Sequence, residues 1–244
     1  MKTIGIIPAR FASTRFPGKP LTEINGKTMI RRVYEQAVQA KSLDHVVVAT
    51  DDERIANNVK SFGGEVIFTQ STHQSGTDRC AEVAALIPGY DVAINIQGDE
   101  PYIDPRQIDL LISCFKDKKV HLATLIKEIH QEEELFNTNI PKVVVNVKEE
   151  AIYFSRHPIP YIRSTEQSNW LGAHQFYKHI GIYGYTIPTL LEITKLGPSS
   201  LEKAESLEQL RWIENGYTIQ TKITSIETIA IDTPEDLNKI ISTS

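Results

Sequence analysis

Thr3-Ile4-Gly5-Ile6-Ile7-Pro8-Ala9-Arg10-Phe11-Ala12-Ser13-Thr14-Arg15-Phe16-Pro17-Gly18-Lys19-Pro20 is the stretch on which the reading of this chain turns. Thr3–Pro8 is a short apolar run, predicted to be a buried strand. The residues after it carry three cations, Arg10, Arg15 and Lys19, and no acid. Ala12, Ser13 and Thr14 are small enough to let a ligand approach the backbone and its N–H donors. Pro17, Gly18 and Pro20 exclude a continuous helix. Arginine grips phosphate oxygens with a planar fork, and lysine brings a mobile point charge suited to charge that develops during displacement. Most basic runs are solvated and paired with surface acids. Three cations at the end of a first strand, in a chain of net charge −5, favour a phosphate loop instead.

Working outward, β-branched runs alternate with amphipathic segments. Met29–Ala40 is predicted to be a helix, with Ile30, Val33, Tyr34, Ala37 and Val38 on one face. His45–Thr50 reads as a strand, and Asp51-Asp52 caps the helix after it. Val66–Thr69 reads as a strand, Arg79–Leu86 as a helix, and Asp91–Ile96 as a strand ended by Gln97-Gly98-Asp99-Glu100-Pro101. Pro105–Phe115 fits a helix with proline in its first turn. This rhythm implies an α/β chain with a largely parallel sheet covered by helices on both faces. Ligands of such sheets bind beyond the carboxyl ends of the strands. That rule selects the loops after Ile7, Val48 and Ile96, and with them Arg10–Lys19 and Gln97–Glu100.

The second half is less regular. Lys142–Val147 and Ala151–Phe154 read as strands, and Arg156–Trp170 as a loop containing Pro158 and Pro160. His179–Ile187 alternates, placing His179, Tyr183 and Tyr185 on one face. Leu201–Asn215 is predicted to be one helix, Tyr217–Ile223 a strand, and Thr233–Ile241 a last helix entered through Pro234. No repeat or linker composition divides the 244 residues. The expectation is a single domain, 1–244, with a subregion of about residues 130–190.

The negative charge argues against a general nucleic-acid binder. The apolar run at the start is too short for a signal-peptide core, and Pro8 and Arg10 break it. No stretch reaches the roughly 20 apolar residues of a membrane span. A cytoplasmic location, away from membranes, is therefore expected. Cys80 and Cys114 have no metal or redox spacing and read as structural thiols. Gly26-Lys27-Thr28 lacks the first glycine of a P-loop, which would fall at Leu21, and reads as a turn and helix cap. No G-x-G-x-x-G follows the first strand, which excludes the dinucleotide fingerprint. Asp99 and Asp232 each follow a predicted strand and are carboxylates able to meet on a Mg2+ ion. Asp232 serves equally as a cap for the last helix, and Asp99 as a brace for the turn before Pro101.

Several segments together resemble the sugar nucleotidyltransferases, and among them the 3-deoxy-manno-octulosonate (Kdo) cytidylyltransferase (CMP-Kdo synthetase) family. They are Pro8-Ala9-Arg10, Ser13–Leu21, Ala49-Thr50-Asp51-Asp52, Ser75-Gly76-Thr77-Asp78-Arg79, Asn95–Pro101 and Ile231–Leu237. The resemblance spans nearly the whole chain, in the family's order. It implies a Rossmann-like nucleotide-diphospho-sugar transferase fold, a mostly parallel mixed sheet with helices on both faces, and a homodimer. It also implies magnesium-dependent transfer of CMP from CTP to the anomeric hydroxyl of Kdo, with release of pyrophosphate, for lipopolysaccharide synthesis. On this resemblance Arg10, Lys19, Asp99 and Asp232 are catalytic, and Asp99 and Asp232 hold the metal. Ala9, Arg10, Ser13, Arg15, Lys19, Ser75, Arg79 and Gln97 bind the nucleotide. Gln97, Arg156, His179, Tyr183, Glu208 and Gln209 bind the sugar, and the subregion near 130–190 serves sugar binding and dimerisation. Read without the family, His179 and Tyr183 are a polar strand face and Glu208 a solvated helix residue. The rival readings are a cytidylyltransferase for another acidic sugar, such as 8-amino-Kdo or sialic acid, and a non-catalytic nucleotide-binding protein.

Overall fold

In the computed structural model, which describes residues 1–12, 16–227, 231 and 236–237, β1 (Thr3–Ala9) lies inside the sheet. A short hairpin follows, β2 (Glu23–Ile24) and β3 (Lys27–Thr28), turned by Asn25 and Gly26 with positive φ of 46 and 75°. Asn-Gly supplies the left-handed pair that such a tight turn requires. Thr28 then stands at the N-cap position of α1 (Met29–Ala37) without a side-chain capping bond, its Oγ1 donating instead to Asn58 Oδ1 at 2.8 Å, so the Gly-Lys-Thr segment is the expected turn leading into a helix.

The next elements are β4 (His45–Thr50), α2 (Glu53–Ser61), β5 (Val66–Phe68), α3 (Gly76–Leu86), β6 (Val92–Asn95) and α4 (Pro105–Ile112). After them come β7 (Leu122–Glu128), α5 (Glu132–Phe136), β8 (Lys142–Val145), β9 (Ala151–Ser155), α6 (Trp170–Ala173) and β10 (Tyr177–Thr186). The last are α7 (Ile187–Ile193), α8 (Ser200–Glu205), α9 (Gln209–Glu214) and β11 (Gln220–Ile223).

Among the described residues the main sheet has nine strands, in the order β11-β7-β10-β6-β1-β4-β5, with β8 paired to β10 and β9 to β8. β1 pairs in parallel with β4 and β6, β4 with β5, and β7 with β11. β10 runs antiparallel to β6 and β7. Its amino-terminal half therefore emerges where β6 ends, with Tyr183 opposite Asn95. That single reversal brings residues near position 180 to the ligand edge of the sheet.

The strands are apolar on both faces because both are covered. On one face Ile7, Ala9 and Val48 pack with α1, α2 and α4 through Ile30, Val33, Val59 and Leu111. On the other Ile4, Ile6 and Ala93 pack with α3, α7 and α9 through Val83, Leu190 and Trp212. Cys80 and Cys114 are buried and unbridged, as structural thiols should be.

Three differences from the sequence reading have physical causes. Residues 201–215 form two helices, because Ser206 adopts a left-handed conformation (φ 53, ψ 48) and breaks the run after Glu205. β7 is a strand that alternation alone does not reveal, since it lies between β10 and β11 with both faces occupied. α7 starts at Ile187, which was expected to be the last residue of the strand before it, and Pro188 suits its first turn. Residues 236–237 are helical; the rest of the helix expected over Thr233–Ile241 lies outside the described residues.

Candidate active site

The carboxyl ends of β1 and β6 border a cleft of about 200 Å³. Ala9, Arg10, Lys19, Ser75, Arg79 and Gln97, all expected at the nucleotide, line it together with Asp99, expected at the metal. Ser13, Arg15 and Asp232 lie outside the described residues. The walls are close-set because glycine permits it. A Cβ on Gly98 would meet the Pro8 carbonyl oxygen at 2.9 Å, and one on Gly76 would meet Pro8 Cγ at 3.2 Å.

The loop after β1 is closed at its base by backbone. Gly18 N–H donates to Phe11 O at 3.0 Å, and Gly18 itself needs its positive φ of 72°. The Phe11 ring is stacked by the Arg54 guanidinium, 3.3 Å from its centroid, and Asp52 holds Arg54 in turn at 2.6 Å. Arg10 is exposed. Lys19 is not: its Nζ donates to Asp99 Oδ2 at 2.7 Å and to Ile231 O at 3.0 Å. Ile231 N–H donates to Asp99 O at 2.9 Å. The chain just before Asp232 is thus tied to both Lys19 and Asp99.

Arg79 lines the cleft but is 4% exposed, with Nη2 3.2 Å from Asp51 Oδ1 and Nη1 bonded to Thr69 Oγ1. Its role in this conformation is to hold the wall. Ser75 caps α3 reciprocally with Asp78, at 3.0 and 3.1 Å, so the cap reading and the cleft reading both apply to it. His73, not expected from sequence, also lines the cleft, and its Nε2 bonds Glu82 Oε2. Burial works to raise the Glu82 carboxyl, but the bonds from His73 and Gln70 outweigh it and the carboxyl is lowered.

The residues expected at the sugar are of another kind. His179 is partly buried, 5.2 Å from the Tyr183 ring and edge-on to Phe154 at 5.3 Å. Burial pushes its imidazole down to about 3, so it is neutral. Thr124 Oγ1 donates to Ile182 O at 2.7 Å and lies 3.0 Å from His179 Nε2. With its proton used, Thr124 accepts, which places the His179 proton on Nε2. Tyr183 and Tyr185 pack edge-on to Trp212 at 5.1 and 5.8 Å, and burial drives both phenols well above their ordinary range. Glu208 accepts from Thr77 Oγ1 at 2.8 Å; burial raises its carboxyl, and the Thr77 and Ser75 hydroxyls offset part of that.

Four polar atoms around these residues, Asn95 Oδ1, Tyr183 OH, Tyr185 OH and Gln209 Nε2, are buried without a hydrogen bond of good geometry to any described residue. Such groups are rare in native interiors and call for an explanation. Gln97, in the cleft, lies beside β10, where a Cβ on Gly181 would stand 3.8 Å from Gln97 Cγ. Arg156 is engaged elsewhere in this conformation. Its Nε donates to Glu205 O at 2.7 Å, Nη1 to Thr138 O at 3.0 Å and Nη2 to Ser206 O at 3.3 Å. Among the described residues no cluster of three or more His, Cys, Asp or Glu suits a metal. Asp99 is the carboxylate that faces the cleft, suited to an ion that takes few protein oxygens and completes its shell with water and phosphate.

Residues 4–226 match the cytidylyltransferase family. The 3-deoxy-manno-octulosonate cytidylyltransferase of Parabacteroides distasonis is 58% identical, over 99% of this chain and 98% of its own. That of Cytophaga hutchinsonii is 56% identical, over 99% and 97%. A solved structure of CMP:2-keto-3-deoxy-manno-octonic acid synthetase complexed with CTP is 42% identical and superposes with a TM-score of 0.92, covering 100% of this chain and 98% of that one. The chain belongs to the cytidylyltransferase family, among the 3-deoxy-manno-octulosonate cytidylyltransferases.

Proposed function

We propose that the chain transfers CMP from CTP to the anomeric hydroxyl of Kdo, releasing pyrophosphate and supplying CMP-Kdo for lipopolysaccharide synthesis. The observation that carries this reading is the Lys19–Asp99 pair in a cleft whose Gln97 lies beside β10, the strand that carries Tyr183 and Tyr185. A triphosphate fits the first half and a polyhydroxy acid the second.

Arg10, Lys19 and, by the family resemblance, Ser13 and Arg15 bind the triphosphate. Lys19 is poised to exchange the Asp99 carboxylate for phosphate oxygens, an exchange of one charge-assisted partner for another. Asp99, with Asp232 by resemblance, would hold Mg2+, which when bound neutralises charge at the α-phosphate. Gln97, Tyr183, Glu208 and Gln209 orient the sugar. The neutral His179 contributes Nδ1 as an acceptor, since Nε2–H is occupied by Thr124. The anomeric oxygen forms a bond to the α-phosphorus as the bond to the β-phosphate oxygen breaks, giving CMP-sugar, pyrophosphate and a proton. Positioning and charge stabilisation supply the acceleration. The Kdo carboxylate requires a cation, and Arg156 fills that role if it releases some of its backbone carbonyls.

A homodimer through residues 130–190 is supported by exposed apolar side chains there, Val147, Ile152 and Tyr161. A cytoplasmic setting is consistent with the described residues, none of whose helices is long and apolar enough to cross a membrane. The test is pyrophosphate release across the four nucleoside triphosphates and the acids Kdo, 8-amino-Kdo and sialic acid, with and without magnesium. Release confined to CTP, Kdo and magnesium supports the reading. Turnover of sialic acid in preference to Kdo, or CTP binding without release, overturns it.

A further inference from the structure

The first turn of α3 belongs to two neighbourhoods. Ser75 and Gly76 line the cleft, while Thr77, the next residue, is 3% exposed and donates to Glu208 Oε2 at 2.8 Å. We propose that Thr77 is a positioning residue for the acceptor sugar, holding the Glu208 carboxylate in place from the same helix end that borders the nucleotide. The inference rests on the assignment of Glu208 to the sugar pocket made above.

The two partners are unequal, which gives the contact its direction. Thr77 is fixed: its χ1 is stiffened by β-branching, and the reciprocal Ser75–Asp78 cap sets its backbone. Glu208 precedes α9 with a long, rotatable side chain that is only partly buried. A fixed donor therefore orients a mobile acceptor. Ser75 adds to it, since its Oγ accepts from Asp78 N–H and leaves its own proton for Glu208. Tyr185 OH and Asn95 Oδ1, both near Thr77, have no well-formed bond among the described residues.

Both hydroxyls favour the ionised carboxylate against burial. Arg211 on α9 acts in the same sense and Asp78 on α3 in the opposite one. Tyr183 and Tyr185 on β10 and Cys80 on α3 are the other titratable groups that interact with Glu208.

The experiment uses the full chain with CTP and Kdo, reading pyrophosphate release for Thr77→Val, Thr77→Ser, Glu208→Gln and the Thr77→Val/Glu208→Gln double variant. Thr77→Val is expected to raise the sugar KM about tenfold, the scale of a lost bond to a charged group, with the CTP KM within about twofold. The acid limb of kcat/KM for the sugar should move to higher pH, because the ionised carboxylate has lost a donor. Thr77→Ser should restore both, and the double variant should be no worse than Glu208→Gln alone. A normal sugar KM in Thr77→Val beside an impaired Glu208→Gln overturns the proposal. So does an additive loss in the double variant, or an equal rise in the CTP KM. If Glu208→Gln is itself unimpaired, the sugar-pocket assignment fails first and the role of Thr77 falls with it.

Discussion

The two halves of the site solve the problem of waiting for a ligand in opposite ways. On the nucleotide side three cations are occupied while they wait, Lys19 on Asp99, Arg79 on Asp51, and Arg54, behind the loop, on Asp52, and Arg10 is exposed to water. On the sugar side Tyr183 OH, Tyr185 OH and Gln209 Nε2 wait buried without a well-formed bond, and His179 waits neutral. The first arrangement costs the free protein little, since partners are exchanged one for one. The second costs it stability, because a buried polar group without a partner is destabilising by about 1–3 kcal/mol. Substitutions on the two sides should therefore have different signatures.

The largest effect is expected from Asp99→Asn, which removes a charge facing the reacting phosphate. Turnover should fall by about 10³-fold or more with the circular-dichroism spectrum unchanged, and near-normal turnover would remove Asp99 from the metal. Next comes Lys19→Ala. It should reduce kcat/KM for CTP by about 100-fold and leave the sugar KM near normal, as initial rates with each substrate varied will show.

Tyr183→Phe tests the contrast most directly. The sugar KM should rise by about tenfold while thermal stability stays level or increases by up to about 1 kcal/mol, because the lost hydroxyl makes no well-formed bond and Thr124 beside it keeps its own bond to Ile182 O. A clear loss of stability would mean that the hydroxyl is already paired in the free protein.

The smallest effect concerns acid. The His179 imidazole is lowered to about 3 against about 6.5 in an unfolded chain, so the unfolded state takes up the proton first. Stability from this residue is complete above pH ~6.5 and is lost as pH falls toward the folded value. Between about pH 6.5 and 5, where carboxylates remain ionised, His179→Gln should flatten the decline in melting temperature by the equivalent of about 1 kcal/mol. An unchanged slope would show that the ring is hydrated.

The same contrast explains what could be read from sequence. Arg10, Lys19, Gln97 and Asp99 sit in loops after strands, and strand order with the edge rule is enough to gather them, whereas Ser75 is reached only through the family resemblance. Thr77, Asn95 and Tyr185 belong to the interiors of elements, where a polar residue looks like any other until its neighbours are known. The Thr77–Glu208 contact spans 131 residues of chain, and Tyr185 meets Trp212 of α9 only because β10 and α9 pack on the same face of the sheet. β7 escaped for a related reason: a strand covered on both faces has no polar alternation to betray it. The break at Ser206 was hidden because serine is not a residue that advertises a left-handed turn.

The reversed strand has a further consequence. Because β10 runs against its neighbours, the residues proposed for the acceptor come together from β10, the start of α9, Arg156 after β9 and Gln97 after β6, while those proposed for the phosphates stay with the loops after β1 and β6. The molecule is in effect a stable chemical engine with an exchangeable recognition cassette. Diversification toward new acidic sugars would then draw on β10, the start of α9 and Arg156, without retuning the loop after β1.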